Sequence, residues 1–155
     1  MITTFVSRST WFPAGLKANL PAFYSLLEEL EFSPLTLGTT VAPLQSPFEE
    51  IRTLMGRSQC AIILGTTHLI ANEVTLKGKI AGKMSLPTEW NQIEACAALM
   101  LNLPTLVILH SNVTPRGLFE RGAGNIFVHS HDMRTPKWTR SIRPALEVLK
   151  SRVAP

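Results

Sequence analysis

Two cysteines are all that this 155-residue chain contains. Cys60 and Cys96 stand far apart, each on an element predicted to be buried. They read as two core thiols rather than as a disulfide or a redox pair. No Cys/His spacing suits zinc, so no metal centre is expected. Charge is scarce as well: Asp, Glu, Lys and Arg make up 17% of residues, which suggests that much of the surface is covered. No apolar run reaches the roughly 18–20 residues of a membrane span. Met1–Val6 has neither a basic n-region nor a long h-region, so no membrane and no signal peptide are expected, and the chain reads as cytoplasmic. G-x-G-x-x-G is missing, which disfavours a classical dinucleotide fold. G-x-x-x-x-G-K-[ST] is missing, which disfavours a P-loop. There is no G-x-S-x-G elbow, and there are no repeats or low-complexity segments.

What is present is a 45% hydrophobic composition and a length that suits one domain, residues 1–155, with a proper core. The net charge of +4 is mild. Lys77, Lys79 and Lys83 cluster in one stretch, and Arg134, Lys137, Arg140, Arg143, Lys150 and Arg152 populate the last segment. Such a balance suits an anionic small ligand. No aromatic-interleaved basic stripe or nucleic-acid motif occurs, so nucleic acid is not an expected partner.

Ile2–Val6 reads as a first strand. Leu16, Leu20, Phe23, Leu27 and Leu30 recur at helical spacing over 16–30, with Pro21 demanding a start near Asn19 or a kink. Ser33–Leu37 reads as a second strand. Ser46-Pro47-Phe48-Glu49 opens a helix that runs to about Gly56. Cys60–Gly65 is a continuous apolar run, as expected of a central parallel strand. Thr66–Leu86 follows as a long connection rich in Gly, Lys and Thr, expected to be a mobile loop. A helix over 87–101, capped by Ser85 or Thr88, leads through Asn102-Leu103-Pro104 into a strand over Thr105–His110. Further elements are a strand over 124–129 and a helix over 136–153, expected to break before Pro144. Alternating strands and helices predict an α/β three-layer sandwich, doubly wound on a parallel sheet of four or five strands.

The chemistry concentrates in Thr88–Ala98. Glu94 lies one turn from Trp90 and one turn from Ala97 and Ala98, in the apolar stripe. A carboxylate there faces the sheet, at the end where open α/β sheets bind ligands. Burying it is costly unless something uses or pairs it. The loops after the strands converge on the same end: Ser7-Arg8-Ser9-Thr10-Trp11, Gly65-Thr66-Thr67-His68 and His110-Ser111-Asn112.

The order of a Ser/Arg loop after strand one, the run Cys60–Gly65, Glu94 with Ala97 and Ala98, then Leu103-Pro104 and a strand, resembles the nucleoside 2-deoxyribosyltransferase superfamily. Trp90-x-x-x-Glu94 resembles the Trp and Glu of TIR domains, whose enzymatic members split NAD. The resemblance covers roughly residues 2–109. Leu86-Pro87-Thr88-Glu89 stands where deoxyribosyltransferases carry Asp-x-Gly-Thr, and Asn91 stands where TIR domains carry Cys. These departures concern the substrate more than the fold.

The resemblance implies a flavodoxin-like or TIR-like fold, with Glu94 catalytic. It implies cleavage or transfer at an N-glycosidic bond of a nucleotide, nucleoside or NAD-like compound. Ser7, Arg8, Ser9, Thr66, Trp90 and Asn112 are the expected substrate contacts, and Lys77, Lys79 and Lys83 the expected phosphate lid. No cofactor is expected, NAD entering as a substrate, and the chain is expected to be a homo-oligomer. The alternative is a non-catalytic nucleotide-sensing or protein-interaction module of the same architecture.

Each residue also has a plainer reading. Glu94 pairs with Arg8 or Arg57. Trp90 is core. Ser7, Arg8 and Ser9 form a turn. The lysines form a solvated loop. Glu89 matches the helix dipole. His129, His131 and Asp132 form a surface turn at a strand end. His68 and His110 lie at the ligand end, either able to move a proton.

Overall fold

Continuous apolar runs become the central strands, and the capped amphipathic stretches between them become the crossovers. The computed structural model describes residues 1–38, 46–120, 122–124 and 126–153. In chain order the elements are β1 (Ile2–Arg8), α1 (Ala14–Lys17), α2 (Leu20–Glu29), β2 (Phe32–Leu35), α3 (Pro47–Gly56) and β3 (Cys60–Gly65). They continue with β4 (Leu69–Leu76), β5 (Lys79–Leu86), α4 (Glu89–Met100), β6 (Thr105–His110), β7 (Phe127–His131) and α5 (Trp138–Val153).

Five strands form one parallel sheet in the order β2-β1-β3-β6-β7. Side chains alternate across it. Val6, Ile62, Leu64, Leu106 and Ile108 pack with Phe23 and Leu27 of α2 and with Trp138, Ile142 and Leu146 of α5. On the other face Phe5 and Ala61 meet Ile51, Leu54 and Met55 of α3 and Ala98 of α4. Ile63, Val107 and Leu109 meet Ala95 of α4 and Phe119. This is the expected three-layer, doubly wound architecture. Ile62, Leu64, Leu106 and Ile108 are buried, as their runs require.

Several expectations change. The helix foreseen over 16–30 is two helices, because Pro21 lacks an N–H and settles in the first turn of α2, after Asn19. The loop foreseen over 66–86 is an antiparallel hairpin, β4 with β5. Its two-residue turn is Lys77-Gly78, both with positive φ (50° and 75°), the geometry whose twist matches a hairpin. The strand foreseen over 124–129 is displaced to Phe127–His131, since register with β6 pairs Leu106 with Phe127 and His110 with His131. Asn125, within the foreseen span, lies outside the described residues. The helix α5 does not break at Pro144, because Trp138, Ile142, Leu146 and Leu149 are buried on both sides of it and hold the helix to the sheet. Cys60 is buried, but Cys96 is exposed on the outer face of α4. No helix among the described residues is long and apolar enough to cross a membrane.

Candidate functional site

In this strand order the winding reverses between β1 and β3, and ligands of open α/β sheets bind outside the carboxyl ends of the strands at such a point. A cleft of about 360 Å³ lies there. Arg8, Ser9 and Thr10 line it from the end of β1, and Leu37 and Gly38 from beyond β2. Pro47 and Ile51 of α3, His68 beyond β3, and Thr88, Glu89, Trp90 and Glu94 at the start of α4 complete the wall.

Glu94 is held here because α4 turns Asn91, Glu94, Ala95 and Ala98 inward. Residues three and four apart share a helix face, and the two alanines let the helix lie close to the sheet. Glu94 is 8% exposed. Burial pushes its carboxyl up to about 7, opposed by a hydrogen bond from the Ser7 hydroxyl. Glu94 forms no ion pair among the described residues, so the pairing with Arg8 or Arg57 is not found. Arg8 instead donates from Nε to Tyr24 Oη at 2.9 Å and from a guanidinium nitrogen to the Ser9 carbonyl at 3.1 Å.

A chain of side chains runs from the helix start to Ser7 on β1. Thr88 caps α4, accepting from the Asn91 backbone N–H at 3.2 Å. The Thr88 hydroxyl donates to Asn91 Oδ1 at 2.9 Å. Asn91 Nδ2 donates to Ser7 Oγ at 2.9 Å. Asn91 was not foreseen as a site residue. Its signal was a polar side chain three residues before Glu94, on the same inward stripe.

The cleft brings together Arg8, Ser9, Trp90 and Glu94, while Ser7 is buried outside its lining and accepts from Asn91. Trp90 is 42% exposed in the cleft wall, so the core reading of it does not hold. Thr66, Asn112 and the three lysines lie outside the cleft lining. Thr66 is buried with its hydroxyl unpartnered. Asn112 is exposed and accepts from Thr67 Oγ1 at 3.0 Å. Lys77, Lys79 and Lys83 are exposed on the hairpin. His68 lines the cleft and meets the exposed Trp11 edge-on, ring centres 6.3 Å apart. His110 is buried elsewhere, its Nδ1 accepting from the Met133 N–H at 3.2 Å. His129 and His131 lie within β7, not in a turn, their rings stacked at 6.1 Å. Glu89 is exposed in the first turn of α4, suited to the dipole there.

A second cavity, about 300 Å³, lies at the opposite end of the sheet between β7 and α5. Its wall is almost all apolar, with Phe127, Ala145, Val148 and Leu149, and it holds no carboxylate. The reactive groups are in the Glu94 cleft. Among the described residues no group of three His, Cys, Asp or Glu side chains could hold a metal ion.

No family model matches the chain, and no curated protein matches it by sequence. Among solved structures it is similar to the Clostridium botulinum CMP N-glycosidase BcmB. The TM-score is 0.58 over 94% of this chain and 98% of that one, at 9% sequence identity. At that identity the likeness is one of fold, and it agrees with the α/β architecture read from the sequence.

Proposed function

We propose that this chain cleaves, or transfers across, the N-glycosidic bond of a nucleotide, nucleoside or NAD-like compound, with Glu94 as the reacting carboxylate. One observation carries the reading: a buried carboxylate, with no ion pair among the described residues, stands in the wall of the switch-point cleft. The fold shared with a nucleotide N-glycosidase supports it.

Breaking the bond sends its electron pair out with the base nitrogen and leaves oxocarbenium charge on the anomeric carbon. A carboxylate beneath the sugar stabilises that charge or adds to the carbon. Water, or an acceptor base in transfer, then supplies the new bond, and a proton ends on the departing base. The reading asks for no metal or cofactor. Trp90 offers a face for the base, and Arg8 and His68 offer polar groups for ribose or phosphate.

The test is chromatography of free base after incubation with nucleoside monophosphates including CMP, with nucleosides and with NAD. Glu94→Gln should lower base release at least ~100-fold. Because the carboxylate form is the active one, the rate should rise as pH passes through about 7. Unchanged release in Glu94→Gln rejects the reading. So does a complete lack of release; if a thermal shift then shows nucleotide binding, the chain is a sensor and not an enzyme.

A further inference from the structure

Helix α5 rides on β6 rather than on the edge strand beside it. Its deep stripe, Trp138, Ile142, Leu146 and Leu149, packs with Leu106 and Ile108 of β6. Among the described residues no β7 side chain belongs to that cluster. Register pairs Leu106 with Phe127 and Ile108 with His129, and residues paired across adjacent strands share a face. Phe127 and His129 therefore lie on the α5 side without being covered by the helix, and Phe127 is 54% exposed. The helix meets this strip with Ala145, Val148 and Arg152, each one turn from the next. Ala145 is too small to close the gap. What remains is the cavity of about 300 Å³, floored by Leu106 and Leu149. From Ala145 to Arg152 it follows α5 for roughly 10 Å.

One end of this trough is charged. The Arg152 guanidinium lies over the Phe127 ring, 4.7 Å from its centre. Two other cations of the same helix have acidic partners, Arg143 with Glu29 and Lys150 with Glu31. Arg152 has none among the described residues, and the trough itself holds no carboxylate. An apolar trough that ends in an unpaired cation is complementary to an apolar chain that ends in an anion. An amine meets like charge there, and an uncharged chain leaves Arg152 unused. We propose that the trough between β7 and α5 binds a free medium-chain aliphatic carboxylate, its chain on Leu106, Ala145 and Leu149 and its head on Arg152. The site lies at the other end of the sheet from Glu94 and does not depend on the reaction proposed there.

Octanoate is the probe, titrated into the protein while NMR follows the methyl groups of Leu106, Val148 and Leu149. Their signals should shift in a saturable way. Affinity should rise about fourfold for each methylene added between hexanoate and octanoate. It should level off at dodecanoate, whose chain outruns the trough. Octanol should bind about fivefold more weakly, and octylamine more weakly still. Arg152→Gln should lower octanoate affinity about fivefold and leave octanol unchanged, the modest effect expected of an exposed ion pair. Ala145→Leu fills the trough and should abolish binding of both. Where Ala145→Leu folds poorly by circular dichroism, Val148→Trp at the exposed rim takes its place.

The absence of any saturable shift with octanoate overturns the proposal. So does equal affinity for octanoate, octanol and octylamine, which would make the trough a greasy patch without selection for charge. Sedimentation covers the remaining occupant. If the protein is a dimer that Val148→Arg converts to a monomer, and the dimer binds no octanoate, the trough is an interface between copies and the proposal falls. Glu94→Gln should bind octanoate as wild type does; a loss there would place the carboxylate in the other cleft and likewise reject the site.

Discussion

Gly65 and Leu109 are register partners across β3 and β6, and the two chains approach so closely that there is no room for a methyl group between them. A Cβ at Gly65 would lie 2.6 Å from Leu109 Cδ2 and 3.5 Å from Pro87 Cβ. Leu109 is fully buried and cannot swing away freely. The contact sits at the end of β3, where the chain turns toward the cleft.

Gly65→Ala should therefore destabilise the protein by about 1–3 kcal/mol, the usual cost of overpacking. Urea unfolding measures it. In a Leu109→Val background, which removes the clashing methyl, the added cost of Gly65→Ala should shrink. An equal cost in both backgrounds would place the strain elsewhere.

Glu94 binds its proton more tightly in the folded protein than in the unfolded chain, where carboxylates titrate near 4.5. The sign follows directly: the stability from this group is complete below the unfolded value and is lost as pH rises toward about 7. Relative to Glu94→Gln, wild type should lose up to about 3 kcal/mol between those pH values. Parallel urea titrations across this range decide the matter, and a constant difference between the two proteins would contradict it.

Thr88→Ala removes the α4 cap and the donor that orients Asn91. Loss of a cap costs about 1 kcal/mol. Thr88→Ser keeps both bonds and should recover most of the loss. Failure of serine to recover it would mean that the methyl group, not the hydroxyl, matters here.

The two thiols should behave as opposites. Cys60 is fully buried, its thiol pushed up to about 11 by burial, and lies 3.4 Å from Thr4 Oγ1. Cys96 is exposed. A thiolate reagent such as a disulfide chromophore should titrate one thiol quickly in the native protein and the second only after denaturant is added. Two fast thiols would show that β3 opens readily.

The central sheet was legible in the sequence because burial on both faces leaves no room for polar residues. Cys60–Gly65 and Thr105–His110 are strands with the limits their apolar runs imply. Ser46-Pro47 and Thr88 likewise mark helix starts through backbone chemistry that is local. The hairpin was not legible: its strands are mostly exposed, so no alternation marks them, and only Lys77-Gly78 hinted at the turn. In α4 the phase was off by one residue. Trp90 and Ala97 were assigned to the inward stripe, whereas Asn91 and Ala95 occupy it, one step round the helix. Glu94 and Ala98 belong to both phases, which is why the carboxylate was found and its amide neighbour was not. Thr66 and Asn112 were expected at the site from strand ends alone; neither is in the lining of the Glu94 cleft.

The Asn91–Ser7 hydrogen bond joins residues 84 positions apart. Bringing together such distant parts of a chain carries an entropic cost that is met only once the intervening strands are in place. No peptide spanning α4 alone could therefore reproduce the environment of Glu94. In a growing or refolding chain the carboxylate would titrate as an ordinary one until β1, β3 and α4 dock. A carboxyl pushed up to about 7 is thus a mark of the docked sheet and helix, and it arises only after residues 84 positions apart have come together.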